Sequence, residues 1–175
     1  MTFQTAVDLN QGFGVPGELF DDGPHRAQPF VLDSSDAALN VFGRAFTVVS
    51  EGVAEAGGAD AVFAGILINP KGHASYGTAA GGPLAPTLTL PNDVPAELLS
   101  EGSIVVTLPA AAAIGDLVYF TDATGVLTTT APGAAAPANS TLIKGAYVDR
   151  FTVSGAGLAV ITLAGSPRSG EPLAA

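Results

Sequence analysis

Short hydrophobic runs alternate with turn-forming residues along most of the chain after position 38. Strand-like runs separated by Gly, Pro, Asn and Asp are typical of a β-sandwich or a small barrel. The runs cover residues 39–49, 61–68, 88–90, 103–108, 117–121, 125–129, 142–151 and 157–163. Residues 122–125 (DATG) predict a hairpin loop in which Gly125 supplies a positive φ. Only residues 96–100, after Pro95 and before Gly102, predict a helical turn. We therefore predict an all-β body that is a β-sandwich, jelly-roll-like or a small barrel.

The first 32 residues follow a different pattern. Large apolar side chains are interleaved with Gly and Pro, which interrupt any helix or strand long enough to bury its own apolar surface. Such a segment needs another surface to lie against. We therefore predict an extended arm over residues 1–32, whose apolar residues are Phe3, Val7, Leu9, Phe13, Val15, Leu19 and Phe20.

Two stretches rich in Gly, Ala and Pro divide the rest of the chain: residues 78–86 (TAAGGPLAP) and 130–138 (TAPGAAAPA). The first predicts a boundary between two β lobes, over residues 33–85 and 86–166, and its length fits an exposed loop as the alternative. Residues 167–175 are predicted to be a flexible tail. The second lobe is expected to be barrel-like.

Composition narrows the class of protein. An apolar share of 47% with a mean hydropathy of +0.42 excludes general disorder. Charged residues make up only 13%, about half the usual share, which leaves neutral surface to bury between subunits. The net charge of −10 disfavours binding to phosphate backbones. It either maintains solubility or complements a basic partner. With no cysteine, no signal-peptide pattern and no long apolar run, we expect neither disulfides nor export nor a membrane span.

Enzyme motifs are weak. Residues 12–17 (GFGVPG) match the dinucleotide-binding G-x-G-x-x-G pattern, but the pattern requires a preceding strand and a following helix that this context does not predict. His25 and His73 have no partner at metal-ligand spacing, and Ser75 lacks a nucleophile elbow. The acid pairs at 21–22 and 33/36 lack the calcium-loop pattern, and residues 33–36 (DSSD) predict a turn with side chains bonding local backbone N–H groups. We therefore expect no catalytic residues, metal or cofactor.

Two segments resemble the cement, or decoration, proteins of tailed-phage capsids. The first is the arm, with Phe-Gln-Thr at 3–5, Gly-Val-Pro-Gly-Glu at 14–18 and a Pro/Arg-containing extended piece at 24–29. The second is the barrel-like series from 101 to 164. The resemblance implies a structural protein that binds the outer face of the major capsid protein lattice and stabilises the DNA-filled head. The implied capsid-binding residues are Phe3, Val7, Leu9, Phe13, Val15, Pro16, Leu19, Phe20 and Arg26.

The same resemblance implies a location on the outer capsid surface of the virion after synthesis in the host cytoplasm. Its implied partners are the major capsid protein and further copies of this chain. A dimer is the favoured oligomer and a trimer is the main competing state. Nucleic acid and membrane are not expected partners. An alternative is a head-fibre or adhesin-like module that binds host-surface glycans. Tyr76 is the only aromatic residue between positions 71 and 88, which disfavours that alternative. A capsid-associated hydrolase is the third possibility.

Overall fold

Nine β-strands and one 3-10 turn make up the regular structure of the described residues, which are 14–59, 61–69 and 89–165 of a computed structural model. The predicted all-β fold is confirmed. The elements are β1 (Arg26–Leu32), a 3-10 turn (Ala37–Leu39), β2 (Ala45–Ser50), β3 (Val53–Ala56), β4 (Phe63–Leu67), β5 (Pro95–Leu108), β6 (Leu117–Thr121), β7 (Leu127–Thr130), β8 (Ser140–Arg150) and β9 (Gly157–Leu163). Within the same residues, no helix is both long and apolar enough to cross a membrane.

Five strands close into a small barrel in the order β1-β3-β2-β4-β5, with β5 pairing back onto β1. The β1–β3 pair is parallel and the others are antiparallel. Closure removes the free strand edges that an open sheet would expose. The barrel is filled by one apolar cluster, whose largest members are Leu32, Phe42, Phe46, Leu67 and Leu98. The last seven residues of the predicted arm are thus strand β1 of this barrel.

Strand β5 belongs to both halves of the molecule. Its first part pairs with β1 and β4, and its second part, from Gly102 to Leu108, pairs with β9. Gly102 has φ +123°, and a Cβ there would lie 2.8 Å from the Cβ of His25. Glycine is therefore required where the strand passes from one sheet to the other. The second sheet has the order β5-β9-β8-β6-β7 and covers its own core.

The predicted helical turn at 96–100 is wrong, because these residues lie inside β5. Ala96 and Leu98 are buried in the barrel core, and Leu99 is buried between β1 and β4. Pro95 is the first residue of the strand, where its missing N–H is tolerated. Tertiary pairing therefore overrides a local helix-start signal. The predicted boundary between the lobes and the predicted tail from 167 onward lie outside the described residues.

Backbone hydrogen bonds join the barrel directly to the second sheet. The β6–β7 hairpin forms as predicted, with Gly125 at φ +67°. Its carbonyl accepts from the N–H of Ala45 at 2.9 Å, and Gly58 donates to the carbonyl of Asp122 at 2.6 Å. A Cβ on Gly125 would lie 2.2 Å from the carbonyl oxygen of Ala45. The two layers therefore meet at backbone contact distance.

A buried polar network stabilises one end of the barrel. The Ser34 hydroxyl donates to the Asn40 side chain at 2.6 Å and accepts from the N–H of Ala56 at 2.9 Å. The Asn40 amide donates to Asn92 at 2.8 Å and to the carbonyl of Leu90 at 3.1 Å. The predicted local turn is present at Asp36, which accepts from the N–H of Ala38, but Ser34 bonds distant residues instead. Three loops are thereby fixed together.

Candidate functional site

Residues 17–20 are bound to the edge of β5 that lies opposite β9. Gly17 donates to the carbonyl of Val105 at 2.8 Å, Val105 donates to the carbonyl of Glu18 at 2.9 Å, and Phe20 donates to the carbonyl of Ser103 at 3.0 Å. Leu19 forms an antiparallel bridge with Ile104. We call residues 14–20 the anchor segment. It adds a short strand-like piece to the second sheet and fixes the chain at this edge.

A tight turn begins the anchor segment. Pro16 and Gly17 occupy the central positions, Gly17 has φ +83°, and Glu18 donates to the carbonyl of Val15 at 3.0 Å. A proline followed by a residue with positive φ is the sequence of a type II turn. No helix follows Gly17 in the described chain, so the surroundings of the G-x-G-x-x-G match cannot bind pyrophosphate as that motif does.

The anchor segment contains four of the predicted capsid-binding residues. Val15 is 49% exposed and Pro16 is half-buried. Leu19 packs against the core of the second sheet, whereas Phe20 packs against Phe151. Arg26 is exposed at the start of β1, where its guanidinium lies 3.8 Å from the carboxylate of Glu101. Phe3, Val7, Leu9 and Phe13 lie outside the described residues.

An aromatic and cationic cluster lies beside the anchor segment. The rings of Phe20 and Phe151 meet edge to face with centroids 6.0 Å apart, and the Arg150 guanidinium lies 5.3 Å from the centroid of Phe20. Phe151 is 41% exposed and has φ +65°, a conformation that is rare for a bulky residue. Edge-to-face rings and a cation over a ring are both favourable arrangements. No sequence pattern indicates this cluster, because residues 20 and 151 are distant in the chain.

A cavity of about 280 Å³ is lined in part by Pro16 of the anchor turn. Its walls are mostly apolar and include Pro16, Phe42, Pro109, Val126 and Leu127, and Arg44 is its cation. Burial lowers the pKa of Arg44 below its ordinary value. The cavity lies between the barrel, the end of β5 and the start of β7. No sequence motif marks it.

Features of an enzyme are not found in the described residues. They contain no group of three or more His, Asp or Glu residues that could hold a metal ion. His25 is exposed, and its Nδ1 lies 3.1 Å from the carbonyl oxygen of Gly23. Asp21 accepts from the N–H of Gly23, so this acid stabilises a turn. His73 and Ser75 lie outside the described residues.

Comparison with protein families gives one match that spans nearly the whole chain. The model for "Structural cement protein (E217 gp24/Pam3 gp6)" matches residues 3–164. The chain belongs to the phage structural cement proteins. Because the match covers both the anchor segment and the two sheets, the predicted family is confirmed over the whole body. This cement protein accordingly has a structural, capsid-associated role as a virion component.

Solved structures support the fold of the cement protein. One chain of the structure described as "The capsid of Myoviridae Phage XM1" superposes with a TM-score of 0.60 and 20% sequence identity. The superposition covers 94% of this cement protein and 98% of that chain. At this identity the likeness establishes a shared fold. A search of curated proteins gives no match.

Proposed function

We propose that this cement protein binds the outer face of the major capsid protein lattice and stabilises the DNA-filled head. Membership of the structural cement family over residues 3–164 is the observation that carries the proposal. A protein that binds only the assembled lattice stabilises that lattice by mass action. The proposed role is therefore mechanical. It requires no catalysis.

The arm provides the proposed contacts. The anchor segment is held to β5 by three backbone hydrogen bonds, so the residues before it are tethered at a fixed edge of the body. Leu19 packs into the protein's own core, which leaves Phe3, Val7, Leu9 and Phe13 as the apolar residues proposed to bind the capsid. Val15 and Pro16 are exposed or half-exposed at the start of the anchor and extend the same surface.

Self-association is the second part of the proposal. Charged residues form only 13% of the chain, and Val31, Val49, Val62 and Ile114 are exposed apolar side chains. Neutral surface of this kind is suited to burial between copies, and a two-fold dimer is the commonest closed arrangement. We propose a dimer, with a trimer as the competing state. The net charge of −10 supports a protein partner in preference to nucleic acid.

Deleting residues 2–13 tests the arm directly. The deletion removes none of the hydrogen bonds described above, so the circular dichroism spectrum is expected to remain that of a folded all-β protein. The affinity for DNA-filled capsids, measured by co-sedimentation, is expected to fall by at least tenfold. A truncated protein that decorates capsids at full occupancy would contradict the role of the arm. A full-length protein that binds host glycans and not capsids would favour the adhesin alternative.

A further inference from the structure

The cavity beside the anchor turn combines apolar walls with a single guanidinium. Phe42, Pro109, Val126 and Leu127 supply apolar surface, and Pro16 brings the anchor turn to the rim. Ligand sites in proteins are typically apolar clefts with a few polar groups that fix orientation. The cavity volume of about 280 Å³ is just below the range of about 300–1,000 Å³ that is typical of small-molecule pockets. It therefore suits a side chain better than a large cofactor.

Arg44 has unused hydrogen-bonding capacity. Its Nη1 donates to the carbonyls of Leu39 at 3.5 Å and Thr124 at 3.4 Å, which are long for N–H···O bonds. A guanidinium carries five N–H donors in a planar fork. Across residues 14–59, 61–69 and 89–165, no further hydrogen bond and no carboxylate ion pair is made by this side chain. Arg26 and Arg150, by contrast, each lie within 4 Å of a carboxylate.

The electrostatic cost of this arrangement favours an anion. Arginine stays charged in proteins, so burial removes water from a cation that cannot release its proton. The two carbonyl contacts link the 3-10 turn to the β6–β7 hairpin and account for part of the side chain's role. They do not neutralise its charge. A carboxylate accepting from Nε and Nη2 would form the bidentate pair that guanidinium geometry matches.

The identity of the anion follows from charge and position. A phosphate polymer is disfavoured, because the chain carries a net charge of −10 and the cavity holds one cation. A carboxylate on an aliphatic stem satisfies both the guanidinium and the apolar walls. Pro16 lines the cavity and belongs to the arm that is proposed to bind the capsid. The site is thus continuous with that interface.

We propose that the Arg44 cavity receives a glutamate or aspartate side chain of a neighbouring capsid subunit. The proposal rests on the proposed function, because it takes the capsid lattice as the partner. It assigns to this cavity the selection of an acidic side chain, while the arm supplies apolar contacts. Binding should then depend on the charge and the fork geometry of residue 44.

The first experiment uses butyrate as the probe and needs no capsid. Butyrate titrated into the full chain is expected to shift the Arg44 Nε–H resonance and the amides of Val126 and Leu127, with saturation. Butyramide, which has the same stem without the charge, is expected to produce no such shift. The Arg44→Gln variant should lose the butyrate response. Equal responses to both probes, or none to butyrate, would overturn the anion site.

The second experiment measures affinity for DNA-filled capsids. Arg44→Gln is expected to weaken binding by at least tenfold, and Arg44→Lys, which keeps the charge without the fork, by an intermediate factor. Lys144→Gln is the matched control, because Lys144 is an exposed cation on β8 outside both the arm and the cavity, and this variant should bind within twofold of the original protein. Thr107→Tyr fills the cavity from an exposed position while keeping Arg44, and should weaken binding as Arg44→Gln does.

The two experiments separate the possible failures. Normal capsid binding by both Arg44→Gln and Thr107→Tyr would overturn the cavity proposal and leave the cement role intact. No capsid binding by the original protein would overturn the capsid partner and with it the proposed function, whereas a saturable butyrate shift would still establish an anion site. Circular dichroism of each variant checks that the fold is retained.

Discussion

Replacing Gly17 by Ala tests whether the anchor segment is an integral part of the body. Gly17 has φ +83°, and a Cβ there would lie 2.9 Å from the backbone N of Asn69, 2.9 Å from the Cβ of Phe42 and 3.0 Å from the carbonyl oxygen of Leu67. Two of these neighbours are backbone atoms that cannot rotate away. The hydrogen bonds to Val105 and from Asn69, both 2.8 Å, would be displaced by the necessary shift.

The expected loss has two parts. The left-handed conformation costs an alanine about 1–2 kcal/mol. Loss of two backbone hydrogen bonds adds about 1–3 kcal/mol. Gly52→Ala is the matched control, because Gly52 has φ +75° but no atom within 4 Å of an added Cβ, so it incurs only the first part. We expect the free energy of unfolding to fall by about 2–5 kcal/mol for Gly17→Ala and about 1–2 kcal/mol for Gly52→Ala.

Urea unfolding followed by circular dichroism measures both variants under the same conditions. The informative quantity is the difference between the two losses of unfolding free energy. The conformational preference of glycine contributes to both losses, so the difference reports the close contact of the anchor segment with the barrel. If Gly17→Ala and Gly52→Ala lose the same stability, the anchor segment is not held in the way described. The free part of the arm would then extend beyond residue 13.

Three further predictions concern the barrel, the aromatic cluster and self-association. Asn40→Ala should lower the free energy of unfolding by about 2–4 kcal/mol in urea titration, because the buried Ser34 hydroxyl and the part-buried Asn92 side chain would each lose a hydrogen-bond partner; a change below about 0.5 kcal/mol would contradict that network. Phe20→Ala should lower the free energy of unfolding by about 1–2 kcal/mol, because the contacts with Phe151 and Arg150 are lost. Arg26→Gln should leave the free energy of unfolding unchanged, because its ion pair is exposed. Light scattering should give the mass of a dimer, and a strict monomer at all accessible concentrations would refute self-association.

The second sheet was largely predictable from sequence. The predicted strands at 117–121 and 157–163 coincide with β6 and β9, and the run at 103–108 lies within β5. In these strands apolar residues face one core with a period of two, and the hairpin glycine at 125 is where the turn requires it. Local pattern and tertiary structure therefore agree in this half of the molecule.

The barrel was less predictable, because its strands depend on distant partners. Residues 26–32 contain Pro29 and follow a turn-rich segment, yet they pair with both β3 and β5. Residues 96–100 have a helix-start signal but form part of β5, which pairs with β1 on one side and β4 on the other. The short strand β3 was absent from the predicted strands, and residues 39–49 contain the end of a 3-10 turn before β2 begins. Closure of a barrel is a non-local event that no short window records.

The candidate sites divide in the same way. The arm was recognisable from interleaved apolar and turn-forming residues, and the Pro16-Gly17 turn has the residues that its geometry requires. Arg44 follows a glycine in an unremarkable run, and its cavity is formed by four separate segments of the chain between positions 16 and 127. The contact between Phe20 and Phe151 likewise joins distant residues. Such juxtapositions are visible only in the folded chain.

The most direct test of the cement role is the temperature at which DNA-filled capsids release their DNA. Capsids stripped of this protein and capsids redecorated to full occupancy are heated with a DNA-binding dye. Binding at a hundredfold excess over Kd stabilises each site by about 2.7 kcal/mol, and the effect accumulates over many sites. We predict that decorated capsids release DNA at a clearly higher temperature, with the increase lost on deletion of residues 2–13. Equal release temperatures at verified full occupancy would contradict the account.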